Sequence, residues 1–164
     1  MGIDESSVNK AMTRMDDAKT RFEDISSDLR SESDEGSVNV DSPSTEVQKC
    51  QRAIELYAKS LLDFSGVQYP TKHQIPIEDD SIKNSIRAIR SEYGDEAAEN
   101  AYRVFLIASL WGSIYPGTEY GIVGLSPDDG FETKDAEMAF NHADEVRLTT
   151  NGIIFLGFSD YNDD

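Results

Sequence analysis

A chain of 164 residues, 38% of them apolar, is long enough for one buried core and short for two domains. Its 32 acidic residues against 15 lysines and arginines give a net charge of -17, which excludes broad electrostatic capture of nucleic acid, because phosphate binding needs a positive surface. One cysteine excludes an internal disulfide framework, the two histidines leave no zinc-spaced cluster, and no run approaches the roughly 18 apolar residues of a membrane span.

The acids are spread along the chain, as in a halophilic protein, where concentrated salt screens self-repulsion. The start, MGIDESSVNK, has no basic run ahead of an apolar one, so a secretory signal is not expected and a cytoplasmic location is. Neither a metal nor a cofactor is expected.

The first predicted helix is SSVNKAMTRMDDAKTRFEDISSDLR, capped by Ser6 or Ser7. In it Val8, Ala11 or Met12, Met15, Ala18, Phe22, Ile25 and Leu29 recur every three or four residues. Residues 31–44 are polar, hold Gly36 and Pro43, and read as a flexible loop. The second helix, Thr45 to Phe64, has the strongest pattern. Val47, Cys50, Ile54, Tyr57, Ala58, Leu61 and Leu62 mark a broad buried face, with Cys50 as a buried thiol and Gly66 as terminator. Pro70 and Pro76 bracket His73, so 67–77 is expected to be a structured turn.

A third, short helix carries Ile82, Ile86 and Ile89 and ends at Gly94. A fourth runs from about Glu96 to Ile114 through Val104, Phe105, Ala108 and Trp111. Tyr115 to Gly130 holds four glycines and two prolines and reads as largely irregular. FETKDAEMAFNHADEVRLTT resumes the helical period, and the apolar run in NGIIFLGFSDYNDD is expected to cover the core as an extended segment. With no long strand signal, the fold class is all-α. The expectation is an antiparallel up-and-down bundle of about five helices over residues 1–150, followed by a C-terminal extension over 151–164.

The stretch RAIELYAKSLLDFSGVQYPTKHQI holds Ala53, Ile54, Glu55, Lys59, Leu61, Leu62, Gly66, Tyr69, Pro70, Thr71 and His73. It resembles the HEPN family (higher eukaryotes and prokaryotes nucleotide-binding domains). SIYPGTEYG, with Thr118 and Tyr120, and the alanine-rich DAEMAFNHADEV are similar to that family's later turn and closing helix. The resemblance covers about residues 1–146. It implies a helical bundle that pairs as a homodimer, works with a minimal nucleotidyltransferase partner in a toxin–antitoxin or defence system, and binds nucleotide. The ligand-binding positions it marks are Glu55, Lys59, Tyr69, Lys72, His73 and Tyr120.

Ribonuclease members of the family place an arginine ahead of a histidine with four to six residues between them. The imidazole moves a proton, and the guanidinium neutralises the phosphorane-like transition state. Gly66, Val67 and Gln68 stand at those positions ahead of His73, and Asp135, Ala136 and Glu137 ahead of His142. Glu119 occupies the arginine position of the family's Thr-Arg-Tyr turn, and its carboxylate would repel phosphate. No catalytic residue is assigned. The reading is a catalytically silent binding module. One alternative is a nuclease toxin using Arg52, Arg87, Arg90 or Arg103 across a dimer; the other is a ligand-free structural adaptor. Glu55 and Lys59 read as an i,i+4 ion pair in the favourable order, His142 as a solvated helix position, and Trp111 as core or dimer interface.

Overall fold

A computed structural model describes residues 3–30, 40–69, 76–121 and 124–162. Its elements are α1 (Glu5–Glu23), α2 (Ser27–Arg30), α3 (Pro43–Phe64), α4 (Asp80–Tyr120), α5 (Pro127–Gly130) and α6 (Thr133–Asn162). The all-α expectation holds among the described residues.

The helix ends show where local chemistry decides and where it does not. Asp4, rather than Ser6 or Ser7, caps α1. Its carboxylate accepts from the Ser7 N–H at 2.7 Å, and the Ser7 hydroxyl oxygen accepts from the Asp4 N–H at 2.9 Å, a reciprocal capping box. The first predicted helix is interrupted between Glu23 and Ser27. There the Ser26 N–H donates to Glu46 on α3 at 2.8 Å. Arg30 reaches back to the carbonyls of Phe22 (2.9 Å), Ile25 (2.8 Å) and Glu23, which supplies partners that a helix C-terminus otherwise lacks. Pro43 falls inside the first turn of α3 rather than in the preceding loop; its missing N–H is no loss there. The Ser42 and Ser44 hydroxyls donate to Asp128 of α5 at 3.1 and 2.7 Å. α3 ends as expected at Gly66, whose N–H bonds the Asp63 carbonyl while Val67 N–H bonds that of Leu62.

Gly94 breaks the helical geometry inside α4 with φ +85°, a value that side chains disfavour, so the expected boundary is a kink. α4 then continues past Ile114 and through Pro116 to Tyr120, and α5 follows, which corrects the irregular reading of 115–130. Buried Gln51 of α3 holds this end in place. Its amide donates to the Trp111 carbonyl at 3.0 Å, and its oxygen accepts from Thr118 at 3.0 Å. The apolar run after Thr150 is helical, not extended. Val146, Thr150, Ile153, Ile154 and Gly157 are all buried, which prolongs the period of α6 across the 150/151 boundary.

Paired contacts set the helix directions. Asp63 near the end of α3 meets Lys10 in the first half of α1 and Arg14 at its middle, and Glu46 at the start of α3 meets Ser26 beyond the end of α1. Ser65 bonds Ser85, and Gln51 bonds Thr118, so α4 runs against α3. Trp111 meets His142, and Tyr93 approaches Gly157, so α6 runs against α4. The result is up-down-up-down. α3 and α6 pack on each other, with α1 and α4 on opposite sides of that pair. α3 is the central element; every residue from Leu56 to Ser65 is buried.

Close approach of α6 to α3 depends on Gly157. A Cβ there would stand 2.5 and 2.8 Å from two atoms of the Phe64 ring. That ring is fully buried and stacked on Tyr93 at 5.7 Å between centroids. Gly157→Ala is expected to destabilise the fold by about 1–3 kcal/mol, the usual cost of overpacking. Urea unfolding would read this as a lower midpoint at unchanged slope.

Candidate functional site

The positions marked in the sequence do not converge on one pocket. Lys72 and His73 lie outside the described residues. Glu55 and Lys59 form the expected pair at 2.5 Å, and Arg52 joins Glu55 at 2.8 Å. Their spacing places Arg52, Glu55, Lys59 and Asp63 on one stripe of α3. Tyr69 lies near the end of that stripe. Tyr120 is 78% exposed at the far end of α4, beside Thr118 and hence Gln51. Gln51 and Asp63 are separated by about 18 Å along α3 at 1.5 Å per residue, so Tyr69 and Tyr120 belong to opposite ends of the bundle.

Around Tyr69 the structure assembles a polar hub that the sequence reading missed. The Asp63 side chain is 0% exposed. Its Oδ1 accepts from Lys10 Nζ at 2.6 Å and from the Tyr69 hydroxyl at 3.0 Å, and its Oδ2 accepts from Arg14 Nε. Lys10 and Arg14 are one turn apart on α1 and both lie over the Tyr69 ring, at 5.8 and 5.9 Å from its centroid. A buried carboxylate is tolerable only when paired and hydrogen-bonded in this way. Burial, and then the Asp63 charge, push the Tyr69 phenol well above its ordinary pKa, so it remains a donor. Burial lowers the Arg14 pKa, but the Asp63 hydrogen bond and charge outweigh it and raise the net value. The hub ties the start of α1 to the end of α3 and to the segment after Gly66. Its one local trace was an acid, Asp63, inside the apolar run Leu61–Phe64.

His142 is half-buried rather than freely solvated. Trp111, itself only 4% exposed, donates its indole N–H to His142 Nδ1 at 2.9 Å, which leaves that nitrogen as an acceptor. The arginines proposed for a trans-assembled nuclease are engaged within the chain. Arg52 meets Glu55, Arg87 meets Asn84 at 3.2 Å, Arg90 meets Asp95 at 2.9 Å, and Arg103 meets Glu145. Among the described residues no group of three or more His, Cys, Asp or Glu side chains could hold a metal ion. No helix among them is long and apolar enough to cross a membrane.

Cys50 is fully buried. Burial, with the nearby Glu46 charge, pushes its thiol up to about 12. Ellman's reagent at mildly alkaline pH is therefore expected to label it only after unfolding, because the thiolate is the reactive form. The folded pKa lies above the unfolded value, so this group's contribution to stability is complete below the ordinary thiol pKa of 9.0. It is lost as pH rises from there through about 12.

The second notable surface is apolar. Tyr102, Leu106, Leu110 and Ile114 recur every four residues along α4, and Met138, Leu148, Phe155 and Leu156 stand on α6. Each is between 38% and 66% exposed. Of the exposed large hydrophobic residues, all but Leu125 lie on these two helices, and Arg103 links to Glu145 across them. Comparison with known proteins gives no relative: no protein-family model, no curated protein and no solved structure matches the chain.

Proposed function

We propose that the chain is a non-catalytic interaction module that pairs with a second copy of itself through the outer surface of α4 and α6. The observation that carries this reading is the concentration of exposed large apolar side chains on the outward sides of these two helices. At roughly 200 Å² for a fully exposed large side chain, the eight residues present on the order of 800 Å² of surface. A stable interface covers about that much on each partner. The four-residue spacing of Tyr102, Leu106, Leu110 and Ile114 forms an i±4n ridge. Two such ridges from identical chains interdigitate at a crossing angle of about -50°, and a two-fold axis makes one face its own complement.

The finer proposal, a HEPN-like module acting with a minimal nucleotidyltransferase in a toxin–antitoxin or defence system and binding nucleotide, rests on the sequence resemblance alone, which is strongest over residues 52–75. The dimer is tested by sedimentation velocity in high salt. A parent sample that stays monomeric at all accessible concentrations would refute it.

A further inference from the structure

A groove of about 500 Å³ lies between the end of α1 and the first half of α3, lined by Arg21, Asp24, Gln48, Lys49 and Arg52. It shares no residue with the Asp63 hub or the α4/α6 face. Three cations stand here against one acid, in a chain whose net charge is -17.

The ion pairs at this groove have a direction. Lys49 is 36% exposed over a Glu46 that is 9% exposed, and Arg52 is 41% exposed over a Glu55 at 14%. Lys83–Asp80 and Arg90–Asp95 have the opposite order, with the acid further out. The two inner acids are also held from behind. Glu46 accepts from the Ser26 N–H at 2.8 Å, and Glu55 accepts from Lys59 at 2.5 Å. An anion entering from solvent therefore meets the cation heads before the carboxylates, and the nearest charges dominate. Lys49 gives one of its three donors to Glu46. The Arg21 guanidinium makes no hydrogen bond among the described residues and stands 3.7 Å from Asp24. Arg30 takes the carbonyls of Phe22, Glu23 and Ile25, which offsets the negative end of the α1 dipole beside the groove.

We infer that this groove binds a small polyanion, a tricarboxylate or a diphosphate, with Arg21 of α1 and Lys49 and Arg52 of α3 on its oxygens. Guanidinium groups match carboxylate and phosphate oxygens in pairs, and the volume falls in the range of small-molecule sites. A lining with two cations in excess suits a ligand carrying at least two negative charges. No aromatic side chain stands among the described lining residues, so the site reads charge and offers nothing for a base to stack on.

The site does not depend on the α4/α6 dimer. Calorimetry on the full chain at low ionic strength, with citrate and pyrophosphate as probes and acetate as the monoanion control, tests it. Saturable binding of citrate or pyrophosphate is expected, with acetate at least about tenfold weaker, and the tighter of the two names the oxyanion class. Adenosine diphosphate should bind no tighter than pyrophosphate. Arg21→Gln should weaken binding about tenfold, the effect of one lost charge-assisted hydrogen bond. Asp24→Asn should strengthen it, and Lys83→Gln, a cation outside the groove, should leave it unchanged. Arg21 and Asp24 are both more than half exposed, so the urea midpoint should hold in either variant. Rising salt should weaken this binding by screening and strengthen the dimer, so the two proposals fail separately. Absence of binding by both polyanions, acetate as tight as citrate, adenosine diphosphate tighter than pyrophosphate, or an affinity unchanged in both Arg21→Gln and Asp24→Asn would overturn the assignment.

Discussion

Replacing Asp63 with alanine is expected to lower the free energy of unfolding by about 3 kcal/mol, because it leaves a cation facing a buried position without its counter-charge. Tyr69 loses its acceptor in the same step. The partners should not respond equally. Arg14 is 30% exposed and donates directly to the carboxylate, so Arg14→Ala should cost nearly as much by stranding a buried anion. Lys10 is 62% exposed, and its removal should cost below about 1 kcal/mol, as for a solvated pair. Arg14→Met combined with Asp63→Leu should recover most of the loss, since a well-packed apolar pair often matches a buried ionic one. Urea unfolding of the four variants is the measurement. Equal, small effects for Lys10, Arg14 and Asp63 would show that the hub is not desolvated.

Leu110→Glu is expected to weaken self-association by at least about 30-fold, a change of roughly 2 kcal/mol, by setting a carboxylate in the centre of the ridge. Leu125→Glu, an exposed position off that face, should leave the dimer intact. Salt supplies an independent handle. Each copy carries a net charge of -17, so pairing brings two anionic bodies together. The Debye length shrinks from about 10 Å at 0.1 M ionic strength to about 3 Å at 1 M, and burial of apolar surface is non-directional and survives screening. Dimer formation should therefore strengthen as salt rises, opposite to an interface held by surface ion pairs. Association that falls with salt, or that ignores Leu110→Glu, would place the contact elsewhere.

The hydrophobic period by itself determined that the chain is helical. It also determined which residues of α3 face inward, while a glycine marked the break in helical path at Gly94 and the four-residue charge spacing marked the pairing of Glu55 with Lys59. Each of these depends on neighbours within a turn or two, which is the range over which side-chain spacing carries information. Only the tertiary structure decided that the first helix stops at Glu23, that α4 passes through Pro116, that α6 continues beyond Thr150, and that Asp63 gathers Lys10, Arg14 and Tyr69. Gln51 and Trp111 are sixty positions apart, Arg14 and Asp63 forty-nine, and Ser26 and Glu46 twenty. A hydrogen bond across such a separation can outweigh a local helix breaker, yet it leaves no periodic mark in the sequence near either partner.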